Sequence, residues 1–208
     1  MSRRRKQLGS CLAGSLLAAL LSAATPGLAA AGDEPLSRVV LHDEREDVWG
    51  VTGFGEEDGY VPAGSQPAAD VTAAVAAHGR GSVRIRMRFV DLRRVSQAYV
   101  AFIRSRDDLF LAYIEANRRN PAGRHELLDY SAASGVDCAG FAHDLEYDTD
   151  RVVVRIPRSC LDRPRWVRIS LSNYRYRSED AQFPEVTDNP HNRGGSGSGG
   201  ETPRLYRI

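Results

Sequence analysis

Between residues 82 and 90 apolar and charged side chains alternate without a break: Val83, Ile85, Met87 and Phe89 on one side, Arg84, Arg86 and Arg88 on the other. A period of two fits extended backbone, whose successive side chains point to opposite faces, and does not fit a helix, which returns to one face every three to four residues. The segment predicts a strand with one buried and one wet face, and such a strand needs partners.

Those partners are legible nearby. Residues 70–78 are rich in Val, Thr and Ala, and His78-Gly79-Arg80-Gly81 supplies a turn before the arginine strand, which predicts a hairpin. Residues 98–104 and 109–115 flank Ser105-Arg106-Asp107-Asp108, and residues 141–146 and 151–156 flank Tyr147-Asp148-Thr149-Asp150 in the same way. In residues 166–172, Val167, Ile169 and Leu171 alternate with Arg168, Ser170 and Ser172. Residues 71–77 and 109–118 contain enough Ala and Leu to favour helix locally, yet no 3.6-residue apolar stripe persists. At least seven short strands with turn signals between them predict an all-β protein, an antiparallel β-sandwich of jelly-roll type.

The front of the chain reads as a cleavable secretory signal over residues 1–31. Arg3, Arg4, Arg5 and Lys6 precede an uncharged Leu/Ala-rich run, Pro26-Gly27 interrupts it, and Ala29-Ala30-Ala31 offers a small-residue cleavage site. The competing reading is an uncleaved anchor, but the unbroken apolar stretch is shorter than the roughly 20 residues a span requires. Leu8-Gly9-Ser10-Cys11 precedes the apolar run instead of following it, which disfavours lipidation, and Lys6-Gln7 after Ser2-Arg3-Arg4 disfavours the twin-arginine route. The expected location is extracellular, with no membrane association after cleavage. The expected domains are a sandwich over residues 32–175 and a Gly/Ser-rich flexible tail over 176–208, with a last edge strand at 204–208.

Charge and cysteine count narrow the partners. The net charge of +1 includes the four leader cations, so the mature chain carries −3, which argues against nucleic acid. Cys11 leaves with the leader, and Cys138 and Cys160 remain as an even pair expected to form a disulfide. Their loop would contribute about 3 kcal/mol by chain entropy. A mature chain of roughly 175 residues is long enough to close one core and is expected to be monomeric.

Residues 70–92 from Asp70-Val71-Thr72 onward, and residues 152–171 with Pro157-Arg158-Ser159-Cys160-Leu161 and Trp166-Val167-Arg168, carry a resemblance to a recurrent type of exported single-domain β-sandwich protein of high-GC Gram-positive bacteria. At the level of pattern these are similar to extracellular carbohydrate-binding jelly-roll modules. The resemblance implies a sandwich fold and brings no matching site residues.

Arg84, Arg86 and Arg88 are the candidate binding residues, with Arg155 or Arg168 extending the patch if the sheet order places either beside them. Planar guanidinium groups suit phosphates or carboxylates of a cell-envelope polymer; the plain alternative is a solvated outer face with interleaved acids. The run His42-Asp43-Glu44-Arg45-Glu46-Asp47 and the pair Asp148 and Asp150 offer oxygen ligands for Ca²⁺, but neither has calcium-loop spacing, so no cofactor is expected. His125-Glu126-Leu127-Leu128-Asp129 carries Asp129 where a zinc-protease helix needs its second histidine. No Gly-x-Ser-x-Gly elbow stands outside the tail near Ser196 and Ser198, so no catalytic residue is assigned. Tyr99, Tyr113, Tyr130, Trp49 and Trp166 offer rings to a sugar, with core packing as the commoner role. The expectation is a secreted, non-catalytic module binding a cell-envelope polymer or glycan. The alternatives are a small glycan-directed hydrolase with an acid pair formed by the fold, and a secreted protein-interaction or inhibitor domain.

Overall fold

The arginine strand does pair on both sides, and the rest of the fold is built outward from it. A computed structural model of the chain describes residues 36–52, 59–178, 181–191 and 200–208. The expected leader, residues 1–31, and most of the Gly/Ser run lie outside the described residues.

The strands are β1 (Arg38–His42), β2 (Trp49–Val51), β3 (Tyr60–Pro62), β4 (Val71–His78), β5 (Ser82–Phe89), β6 (Gln97–Arg104), β7 (Leu109–Ala116), β8 (Arg124–Asp129), β9 (Ser134–Gly135), β10 (Ala142–Glu146), β11 (Arg151–Pro157), β12 (Trp166–Tyr176), β13 (Glu185–Asp188) and β14 (Leu205–Tyr206). Two 3₁₀ turns, Tyr147–Thr149 and Arg158–Leu161, follow β10 and β11. All pairings are antiparallel. One sheet runs β1-β4-β5-β11-β10; the other runs β3-β2-β13-β12-β6-β7-β8-β9, with β14 on the free flank of β12. The two sheets pack face to face as a β-sandwich.

Alternation decides which face is which. β5 buries Val83, Ile85, Met87 and Phe89, each at most 2% exposed, and turns its arginines outward. β11 and β12 answer with Val152, Val154, Ile156, Val167, Ile169 and Leu171, and Phe89 meets Tyr99 of β6 edge-to-face at 5.7 Å. Each large apolar side chain so enclosed contributes roughly 1.5–3 kcal/mol. Ala-rich β4 and Leu-rich β7 are strands despite their helical propensity, because each is paired on both sides and packs one face on this core.

Cys138 and Cys160 are bonded. The bond joins the β9–β10 connection to the Arg158–Leu161 turn, and both of these connections pass from one sheet to the other. It fits a non-reducing setting. Among the described residues no helix is long and apolar enough to cross a membrane.

The structure differs from the sequence reading after residue 175. β13, inside the expected tail, pairs with both β12 and β2, and Val186 is fully buried. The four residues of β13 are too few to show a period, so only tertiary pairing defines them. Thr202 docks on β12, its N–H donating to Ile169 O at 2.9 Å while its hydroxyl accepts from Ile169 N–H, and β14 then pairs with Trp166 and Val167.

Candidate functional site

The outer face of the five-stranded sheet collects arginines in register. Across the strands one row reads Arg38, Ala77, Arg84, Arg155, Ala142; the next Val40, Val75, Arg86, Val153, Asp144; the third His42, Ala73, Arg88, Arg151, Glu146. Arg38, Arg84, Arg86, Arg88 and Arg155 are exposed and have no carboxylate within ion-pair distance among the described residues. Arg151 alone on this face is paired, to Glu146 at 2.8 Å. Six arginines thus stand against two carboxylates, both on the β10 edge, so this face is strongly basic in a chain whose charges otherwise nearly balance. The backbone positions that carry the arginines repeat at roughly 6.5–7 Å along a strand and roughly 5 Å between neighbouring strands. The sheet order admits Arg155 to the patch and excludes Arg168, which lies opposite Arg104 on the other sheet, where Glu201 reaches both.

The outer face of the larger sheet differs in chemistry. Tyr60, Val51, Glu185 and Tyr176 form one row, and Pro62, Trp49, Thr187 and Tyr174 the next. Tyr60 is 46% and Tyr176 38% exposed. Burial raises the Glu185 carboxyl, and burial together with Glu185 raises the hydroxyls of Tyr60 and Tyr174. Of the rings singled out in the sequence, Tyr99 is core, Tyr113 and Trp49 are half-buried on this face, and Tyr130 is exposed against Phe102. Trp166 has one ring face covered by Arg204 at 4.5 Å. At one end of this sheet Arg118, Arg119, Arg175 and Arg177 line a cleft of about 500 Å³.

A third cluster is acidic. Asp43 and Asp47, from the β1–β2 loop, meet Asp188 at the end of β13, their nearest carboxylate oxygens lying within 4.8 Å of one another. Asp70, immediately before β4, lies against the same loop: its Oδ2 accepts the Glu46 N–H at 2.8 Å, with Glu46 in the left-handed region at φ 65°. Asp188 Oδ2 accepts from Val71 N–H at 2.6 Å and its Oδ1 from Asn189 N–H at 2.7 Å. Burial, then repulsion from Asp188 and Asp47, pushes Asp43 up to about 8. Burial likewise raises Asp188 to about 7, against the pull of its two amide hydrogen bonds. The nearby crossover is held from below by side-chain amides on the inner face of the larger sheet: Gln97 Nε2 donates to Ala68 O, and Asn173 Nδ2 donates to Ala69 O at 2.7 Å.

The remaining sequence candidates separate. Asp150 caps structure, its Oδ1 accepting from Leu92 N–H at 2.8 Å, so the Asp148 and Asp150 pair does not join the acidic cluster. His125 lies on strand β8 and not on a helix, so the zinc-protease geometry is absent. It meets His143 instead, with 2.8 Å between the two Nδ1 atoms, while His143 Nε2 donates to Ala122 O. Burial and His143 both lower the His125 pKa. Arg38, Arg151, Tyr60, Tyr174, Asp70 and Asp188 were not singled out from the sequence; each is an isolated residue whose neighbours come from other strands. Compared with models of protein families, with curated proteins and with solved structures, the chain matches none.

Proposed function

We propose that this chain is a secreted, non-catalytic β-sandwich module that binds an anionic polymer of the cell envelope through the outer face of its five-stranded sheet. The observation that carries this reading is the set of exposed arginines Arg84, Arg86 and Arg88 on β5 and Arg155 on the adjacent β11, with Arg38 on β1 across the alanines of β4, none with an acidic partner among the described residues. Guanidinium forks in a regular two-dimensional array suit a ligand that repeats phosphate or carboxylate groups along a chain. The disulfide and the signal-like leader support export.

A second reading, binding of a neutral glycan, is favoured by the Tyr60, Glu185, Tyr176 row with Trp49 and Tyr174 beside it, since exposed rings offer apolar faces and a carboxylate offers hydroxyl acceptors. The hydrolase alternative needs an acid pair open to substrate. In the acidic cluster Asp70 and Asp188, at 2% and 4% exposure, are enclosed, while Asp43 and Asp47 are half-buried.

Cosedimentation of purified protein with cell walls and with insoluble neutral polysaccharides, across a salt series, tests both. The first reading expects retention on walls that weakens with salt and is lost in the Arg84→Ser/Arg86→Ser/Arg88→Ser triple variant. Salt-insensitive retention on neutral polysaccharide, lost in Tyr176→Ala, would replace it with the second. Loss in Arg175→Ser with the triple variant unaffected would move the site to the cleft.

A further inference from the structure

We propose that Asp43, Asp47 and Asp188, backed by Asp70, bind a single Ca²⁺ that fastens the β1–β2 loop across the edges of both sheets. The donor atoms are all carboxyl oxygens, with no histidine or cysteine among them, which selects a hard cation. Their mutual spacing, within 4.8 Å, is what ligands at 2.3–2.6 Å from one ion can occupy.

Independent of the cluster itself, two buried side chains present unused acceptors beside it. Asp70 is 2% exposed, its Oδ2 rests on the loop that carries Asp43 and Asp47, and among the described residues its Oδ1 has no hydrogen-bond partner. Asn173 is fully buried, lies directly across from Asp188 in the β12–β13 register, and has Oδ1 without a partner. Asp43 Oδ2 is likewise buried and unpartnered. Among the described residues no arginine or histidine lies within ion-pair distance of Asp43, Asp70 or Asp188. Buried acceptors in excess of donors, on charged groups that repel one another, are costly unless a cation supplies what the protein lacks. A divalent ion does so at one point, and seven- or eight-fold oxygen coordination leaves room for carboxylates, a side-chain carbonyl and water together.

The placement states what the ion does. Asp43 follows β1 of the five-stranded sheet, Asp47 precedes β2 of the larger one, Asp70 enters β4, and Asp188 ends β13. An ion held by these residues fastens the two sheets together, as the disulfide does elsewhere. This inference does not depend on the polymer-binding reading.

The test is calorimetric titration of EDTA-stripped, full-length protein with CaCl₂, paired with thermal unfolding in EDTA, in CaCl₂, in MgCl₂ and in NaCl at matched ionic strength. One site per chain is expected, with Tm raised by about 5–10 °C at a hundredfold excess over Kd. Asp43→Asn, at the more open side of the cluster, is expected to fold and to lose both the binding heat and the Tm response to Ca²⁺. Asp47→Asn serves the same purpose should Asp43→Asn fail to fold. Absence of binding heat with an unchanged Tm at millimolar Ca²⁺ would overturn the proposal, as would an equal Tm rise in NaCl, or full retention of Ca²⁺ binding in the folded variants. An equal or larger response to Mg²⁺ would overturn the assignment to Ca²⁺.

Discussion

At one end of β4, His78 is buried beside the disulfide-bearing turn; at the other, Val71 begins the strand beside four aspartates. The His78 end is complete in itself. Nδ1 of His78 donates to Leu205 O at 2.9 Å, and its Nε2 accepts from Arg158 Nε at 3.1 Å. The rest of the Arg158 guanidinium donates to the carbonyls of Arg80, Arg163 and Pro164, so a nearly buried cation is satisfied without any carboxylate. At the aspartate end, among the described residues, Asp43 Oδ2 and Asp70 Oδ1 are buried acceptors without a donor. Burial acts identically at both, favouring the neutral form: it lowers His78 and raises Asp43, Asp70 and Asp188. The contrast is between a buried charge on which neutral dipoles converge and a set of carboxyls whose own charges converge, and only the second is where the proposed cation would act.

The largest effect should come from opening the complete end covalently. Cys138→Ser/Cys160→Ser, or reduction, is expected to cost about 3 kcal/mol and to lower Tm by roughly 6–12 °C in a thermal melt. Arg158→Ala leaves His78 Nε2 and three carbonyls without their donor while the disulfide stays intact, and should cost about 2–3 kcal/mol by chemical denaturation. A loss as small as that of an ordinary surface substitution would show that water replaces the guanidinium and that this end is not self-sufficient.

On the aspartate side, Gly50 of β2 lies under Phe183, and a Cβ there would come within 2.5 Å of the ring. Gly50→Ala is therefore expected to displace Phe183 from its small cluster with Val48, Ala69 and Val186, at about 1–3 kcal/mol. An unchanged Tm would mean that this corner repacks freely.

The pH response of His78 sharpens the comparison further. Its folded pKa lies below the ordinary 6.5, through burial and, secondarily, the neighbouring Arg158 and Arg207 charges. The unfolded chain therefore takes up the proton first; the stability that neutral His78 contributes is present above about pH 6.5 and is lost as pH falls toward the folded value. The stability gap between wild type and His78→Gln should narrow between pH 7.5 and 5.5, by at most about 1.4 kcal/mol per pH unit. A gap that stays constant would mean that His78 takes up its proton equally in the folded and unfolded states, and would overturn the lowered folded pKa. The smallest effect on folding belongs to the arginine face, where the Arg84/Arg86/Arg88 triple serine variant should stay within about 0.5 kcal/mol per site while losing wall binding.

Much of the architecture was legible because it is local. The β4–β5, β6–β7 and β10–β11 hairpins follow from period-two runs flanking short polar turns, and the Cys138–Cys160 bond follows from an even cysteine count. β1, β8 and β13 were not legible because strands of four to six residues without strict alternation show no period, and their place is set by neighbours far along the chain. The outward turn of Arg84, Arg86 and Arg88 was implicit in their alternation with Val83, Ile85 and Met87.

What the sequence by itself determined, then, was the strand period, the hairpins, the staple and the sign of the β5 outer face, since each depends on residues that are neighbours in the chain. Only the tertiary structure decided that Arg155 and not Arg168 extends that face, because sheet order is a property of long-range pairing. It alone brought Asp188 onto the first amide of β4 from 117 residues away, next to Asp43 and Asp47. Contacts closed over such distances leave no local pattern, for they depend on which apolar faces meet when the two sheets collapse on one another.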